Sequence, residues 1–254
     1  PLKNIFNTKD PKPDWDKFYV LKCYYAAEEL QSEFVHNFNM AIGDYIATNV
    51  VKGHLPVADR NIILRPSPQD DVPEKHEVVI HPGKHWMSKT FPKHWWDAVI
   101  QGLLKRGVKP AIIGADRGER SYVDVDGSKC FDYRDKTSVM QMVSILQKAQ
   151  IVLTNDSAPL HIAASGDAYI GFVSTVRHAD FVTHWRRDYP SLRNQWSYKM
   201  QDFAKGTMWT NEETSPLRNG AKYDVIDQQT LISWLPDPEE MINWTMEKLR
   251  LVSH

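Results

Sequence analysis

Two short segments hold the side chains best suited to chemistry. The first is His81-Pro-Gly-Lys-His-Trp-Met-Ser-Lys-Thr90, where Ser88, Lys89 and Thr90 offer one positive charge and two hydroxyls to a phosphate-bearing ligand. The second is Leu153-Thr-Asn-Asp-Ser-Ala-Pro-Leu-His161, which sets Asn155, Asp156 and Ser157 between an apolar run and the start of a helix. Backbone N–H groups at a helix start lack intrahelical partners and the helix dipole adds positive potential, so a diphosphate can dock there. Each segment alone also has a plainer reading. Lys89 suits a solvated loop, and Asp156 or Ser157 suits a simple helix cap. The two gain weight from their order along one pattern of elements.

That pattern runs from Val78 to Val173, where short apolar stretches alternate with amphipathic helices, as in a parallel sheet covered on both faces. Strands are expected at Val78–His81, Pro110–Gly114, Lys129–Phe131, Ile151–Leu153 and Ala168–Val173. Helices are expected at Pro92–Arg106, with Trp96, Val99, Ile100 and Leu103 on one face and Gly107 ending it, and from a Thr137 cap through Val139, Met142, Val143 and Leu146. A helical turn after Glu119 and a short helix at Ala158–Ser165 complete the set. Both polar segments then fall at the carboxyl ends of strands, where sheets of this kind bind ligands.

Outside this stretch the rhythm fades. A short strand within Lys17–Tyr25 and a helix over Ala26–Phe38 precede a connector rich in Pro56, Pro66, Pro68 and Pro73, so the boundary falls near residue 75. Residues 1–75 form an N-terminal region with its linker, and residues 76–254 form the sheet domain. After Ser174, His178–Tyr189 is aromatic and basic, Leu192–Asn219 reads mostly as loop, and Gln228–Leu235 and Pro238–Leu251 read as closing helices.

Bulk composition narrows the function classes. The chain has 254 residues, 42% of them apolar, enough for an ordinary core. A net charge of −1 supplies no global field toward nucleic acid or anionic lipid, which leaves nucleic acid an unfavoured partner. With no transmembrane run and no basic-then-apolar leader, the expected place is the cytoplasm, with peripheral attachment at the inner membrane as a variant. Cys23 and Cys130 lack metal-ligand spacing and read as free thiols. Asp124-Val-Asp126 imitates a metal-binding DxD but sits in a hydrophilic turn, so no metal site is expected. Tryptophans beside His or Lys, as in His94-Trp95-Trp96, read first as packing residues with a polar edge and second as stacking platforms.

Several motifs occur in one order: His-Pro-Gly with Ser-Lys-x-Phe-Pro-x-x-x-Trp, a strand ending in Gly114-Ala with Glu119 a few residues on, Lys136-Thr-Ser before a helix, and Thr154-Asn-Asp-Ser-Ala-Pro-Leu-His-Ile-Ala163. Together they resemble the C-terminal lobe of heptosyltransferase-like enzymes, glycosyltransferase family 9. The resemblance implies a two-lobed GT-B fold, with a Rossmann-like C-terminal lobe binding a nucleotide sugar and an N-terminal lobe presenting a glycan or glycolipid acceptor. By the same resemblance Lys89 and Asp156 are catalytic, with Lys89 neutralising the departing diphosphate. Ser88, Thr90, Gly114, Asn155, Ser157 and His161 line the donor site, and Glu119 holds the ribose. The implied reaction inverts the anomeric carbon, needs no metal and uses no cofactor beyond the donor itself.

The sequence departs from the family pattern twice. Gly171-Phe-Val-Ser-Thr-Val-Arg177 replaces the usual Gly-Pro-Thr turn, which puts the hold on the donor sugar in question and makes Arg177 and His178 substitutes to test. Only some 75 residues precede the match, far fewer than a full acceptor lobe, so the lobe is either shortened or the chain a fragment. Ile42-Gly-Asp44 resembles the turn that supplies the family's base, but no buried strand leads into it and the region also reads as the last helix before the linker, the reading that carries more weight. Two rival functions follow: transfer to a non-saccharide acceptor such as a modified base in viral DNA, and nucleotide-sugar binding or assembly without turnover.

Overall fold

Val78, Val79 and Ile80 are all fully buried, which a strand achieves only when both faces of its sheet are covered. The computed structural model describes residues 64–84, 89–118, 121–173, 196–198 and 235–252. The expected elements at Lys17–Tyr25, Ala26–Phe38 and His178–Tyr189, and most of Gln228–Leu235, lie outside the described residues.

Strand β1 (Val78–His81) is followed by β2 (Gly83–Lys84), helix α1 (Lys93–Lys105), β3 (Ala111–Ile112), β4 (Ser121–Tyr122) and β5 (Phe131–Asp132). Then come α2 (Val139–Lys148), β6 (Ile151–Asn155), α3 (Ala158–Ala163), β7 (Tyr169–Val173), β8 (Trp196–Tyr198) and α4 (Pro238–Val252). The main sheet is six-stranded in the order β5-β3-β1-β6-β7-β8, and every pairing in it is parallel. Counted without the β2–β4 ribbon, this is the 3-2-1-4-5-6 order of dinucleotide-binding sheets. β2 and β4 pair antiparallel beside it.

Period-two alternation divides the core. Val78, Ile80, Ile112, Ile151, Leu153 and Val173 face a layer made by α1 and α4, whose Trp96, Ile100, Leu103, Met241 and Ile242 are buried against them. Val79, Ala111, Ile113, Val152, Ile170 and Phe172 face the other layer, made by α2 and α3 through Ile145, Leu146, Leu160 and Ala163. The expected α/β sheet with helices on both faces is therefore present, and the helical face of α1 is the one its periodicity gives. Gly107 ends α1 at a φ of 82°, a left-handed conformation that glycine adopts without strain.

Trp95 and Trp96 belong to this packing. Trp95 donates its indole N–H to the Pro236 carbonyl at 2.8 Å, and its ring meets Trp96 edge-on. In the same layer, Trp244 of α4 lies over Gly171, where an added Cβ would stand 2.9 Å from its ring.

Four local expectations shift. Ser121–Tyr122 forms a strand rather than a helical turn, because Gly83–Lys84 offers it an antiparallel partner. The third main strand lies at Phe131–Asp132, set by its register with Ala111–Ile112. The strand Trp196–Tyr198 falls within a segment read as loop, and only its pairing along Gly171–Val173 defines it. The cap of α2 is Ser138, not Thr137: its hydroxyl accepts from the Gln141 backbone N–H at 3.1 Å, and the Gln141 side chain accepts from the Ser138 N–H at 2.8 Å. That reciprocal pair is a capping box. Ser138→Ala is therefore expected to lower unfolding free energy by about 1 kcal/mol in a urea titration, whereas Thr137→Ala should stay within about 0.5 kcal/mol.

Candidate functional site

Register brings the two chemically interesting segments together. Parallel pairing sets Val78 beside Ile151 and carries forward to His81 beside Thr154, so β1 and β6 finish at the same rim. The chain leaving β1 continues toward β3 on one side, and that leaving β6 continues toward β7 on the other. The crevice between such diverging connections is the switch point where open α/β sheets bind ligands.

Asn155 ends β6 and is 2% exposed. Its Nδ2 donates to the Gly83 carbonyl at 2.9 Å and to the Lys89 carbonyl at 2.7 Å. Gly83 allows this approach, since an added Cβ would stand 2.6 Å from Asn155 Oδ1. One residue further on, Asp156 accepts from Lys89 Nζ at 2.6 Å, with side-chain exposures of 7% and 14% respectively. Both ions are largely removed from water, so separating them without a replacement partner is costly, on the order of several kcal/mol.

Beneath this pair lies a neutral polar cluster. His81 Nδ1 is 3.3 Å from both Thr154 Oγ1 and Ser157 Oγ. Burial lowers the His81 pKa to about 4, so the ring is uncharged at neutral pH. His161, on α3, also has its pKa lowered, chiefly by burial; the Asp156 carboxylate opposes that effect and Lys89 adds to it. Ser157 is the N-cap residue of α3 but makes no capping bond with its side chain, and the Asp156 carboxylate holds Lys89. The simple capping alternative for these two residues is thus removed. α3 itself has only six residues, and Pro159 takes one N–H from its first turn, so the macrodipole there is small and, among the described residues, Lys89 supplies positive charge beside Asp156.

A second cluster stands on the same rim after β3 and β5. Gly114 faces Tyr122, whose ring carbon would be 2.7 Å from an added Cβ. The Tyr122 hydroxyl donates to Asp135 Oδ2 at 2.6 Å, and the Asp116 N–H donates to Asp135 Oδ1 at 2.7 Å. This bond to a carboxylate raises the Tyr122 pKa and lowers that of Asp135. Since β4 pairs with β2, the ribbon joins the loop after β1 to the loop after β3.

Among the sequence candidates, Lys89, Asn155, Asp156, Ser157 and His161 converge, and Thr90 follows Lys89 directly with a partly exposed side chain. Gly114 sits apart under Tyr122. Ser88, Glu119, Asp44, Arg177, His178 and Cys23 lie outside the described residues. Asp124 is ion-paired with Arg134 at 3.1 Å and Asp126 accepts from the Ser128 N–H at 3.0 Å, so this DxD is a braced turn. Cys130 is a half-buried free thiol whose pKa burial pushes up to about 11. His81 and Thr154 were legible only as members of quoted motifs, and the Tyr122–Asp135 contact had no sequence signal. A cleft of about 340 Å³ bounded by Pro68, Asp71, Ser144 and Lys148 lies toward the amino ends of the strands, away from Lys89.

A doubly wound parallel sheet with a cation and a carboxylate at its switch point defines the class in structural terms, a Rossmann-like α/β fold. Residues 49–171 match the model of glycosyltransferase family 9 (heptosyltransferase). In fold it is similar to the ADP-heptose LPS heptosyltransferase II of E. coli, at a TM-score of 0.50 and 13% identity, over 76% of this chain and 54% of that one. A family 9 glycosyl transferase from Veillonella parvula DSM 2008 aligns at a TM-score of 0.47 and 13% identity, over 78% and 58% of the two chains. The chain thus spans little more than half the length of these two structures. No curated protein matches the sequence. No helix among the described residues is long and apolar enough to cross a membrane.

The buried neutral His81 makes stability depend on pH. Its folded pKa lies below the unfolded value, so between about 6.5 and 4 the unfolded chain binds more protons and stability falls as pH falls. Between pH 7 and pH 5 this one group is expected to remove about 2 kcal/mol. Urea unfolding of the parent and His81→Asn at both pH values checks it: the parent's loss should exceed the variant's by roughly that amount.

Proposed function

We propose that the chain transfers a sugar from a nucleotide-sugar donor, such as an ADP- or UDP-sugar, to a saccharide or lipid-linked saccharide acceptor. The observation that carries this reading is the Lys89–Asp156 ion pair at the rim between β1 and β6. An acceptor hydroxyl attacks the anomeric carbon, a base removes its proton, and the bond from that carbon to the diphosphate oxygen breaks with inversion. The leaving diphosphate carries the electron pair, and the Lys89 ammonium stabilises that charge in a site with little water. A protein cation then does the work that a metal does elsewhere, so the step needs none.

Lys89 is paired with Asp156, so the donor gains only the difference between phosphate and that carboxylate as partner. Asp156, Ser157 and His161 bound the space next to the diphosphate, with Thr90 at its edge. Glu119 for the ribose, Ser88 for the phosphate and Asp44 as base complete the assignment. Work in the cytoplasm, or against the inner face of a membrane, would suit a soluble donor and a lipid-linked acceptor.

Titration of the full chain with ADP and UDP, followed by product assays with a panel of nucleotide sugars and acceptors, tests the proposal. Lys89→Gln should weaken nucleoside diphosphate binding by about 10- to 100-fold, the scale of one charge-assisted hydrogen bond. A thermal melt of the variant reports whether the orphaned Asp156 has loosened the fold. Unchanged affinity in a folded Lys89→Gln protein would rule out the phosphate role. Tight donor binding with no product on any acceptor would identify a binding protein in place of a transferase.

A further inference from the structure

Asn155 was expected to contact the donor, and its surroundings suggest a different task. An amide nitrogen has two hydrogens, and the Gly83 and Lys89 carbonyls take both. What remains is Oδ1, a buried acceptor with no partner among the described residues. Phosphate oxygens are acceptors too, so this atom has nothing to offer a diphosphate. The side chain instead ties β6 to both ends of the segment that leaves β1: Gly83 lies just after that strand and Lys89 six residues on. Lys89 is thereby held twice by consecutive residues of β6 and its loop, through its carbonyl by Asn155 and through Nζ by Asp156.

Gly83 supports the same conclusion. A side chain there would collide with both the Asn155 amide and the His81 ring at 2.6 Å, so the backbone approach exists only because that position is bare. A cation on an unpinned loop would spend part of its binding energy on ordering that loop. With the carbonyl of Lys89 fixed, only the side chain needs to move between Asp156 and an incoming anion.

We infer that Asn155 is a positioning residue that acts on the donor diphosphate through Lys89, by holding the Lys89 backbone against the end of β6. The inference rests on the reading of Lys89 as the diphosphate cation. Its test is a double-variant cycle in the full chain with ADP as the probe. Asn155→Leu keeps the side-chain shape and removes both donated bonds. It should weaken ADP binding by about tenfold, and its affinity should lose part of the salt dependence that Lys89→Gln removes. The double variant should bind within about twofold of Lys89→Gln alone.

Losses that multiply in the double variant would overturn the inference, because Asn155 would then act independently of Lys89. Parent-like affinity in Asn155→Leu would overturn it as well. A silent Lys89→Gln is a distinct result, which removes the phosphate reading and this inference together. If Asn155→Leu does not fold, the parent protein still answers. With selectively labelled asparagine, the Asn155 side-chain amide protons should keep their NMR positions and slow exchange when ADP saturates the site. A large shift would mean direct contact and would sink the proposal.

Discussion

Everything at the rim depends on the parallel register between β1 and β6. Pairing Val78 with Ile151 fixes His81 beside Thr154, and from that point the next residues on each chain have no freedom to miss each other. A shift of one residue would invert the faces of β6, turning Leu153 out of one core layer and Val152 out of the other. Hydrophobic burial on both faces therefore sets the site's geometry before any polar contact forms. The Lys89–Asp156 pair and the Asn155 amide then refine a position that packing has already chosen.

Among the described residues, side chains from the two strand ends supply a compact polar layer at this rim. Thr154 and Ser157 both lie within reach of the His81 ring, and both also approach the Asn155 carbonyl. Burial disfavours a charged imidazolium there, so His81 meets the two hydroxyls as a neutral ring.

The sheet and its two helical layers were legible in the sequence because fully apolar runs such as Val78-Val-Ile80 and Ile151-Val-Leu153 leave a parallel strand little alternative. The two rim segments were legible because strand ends in such sheets fall at one edge. Residues whose roles depend on a distant partner were less visible. Thr137 and Ser138 are equally good caps by type, and only the reach of Gln141 separates them. Ser121–Tyr122 has no strand pattern of its own and becomes one through Gly83–Lys84. Asn155 reads as a polar ligand-facing residue until the two carbonyls that occupy its amide are known. Asp44, read in the sequence as a candidate base, lies outside the described residues.

The closing helix α4 has a consequence for biosynthesis. Its Met241, Ile242 and Leu249 cover the same layer as Trp96, Ile100 and Leu103, and its approach is fastened by Trp95 to Pro236 and by Arg106 to Glu239. On a ribosome the strands and α1 emerge long before this cover does. At ordinary elongation rates, on the order of 10 residues per second, the apolar side of α1 waits more than about 10 seconds for its lid. The nascent chain would spend that interval as a client for chaperones, with one flank of its sheet still uncovered.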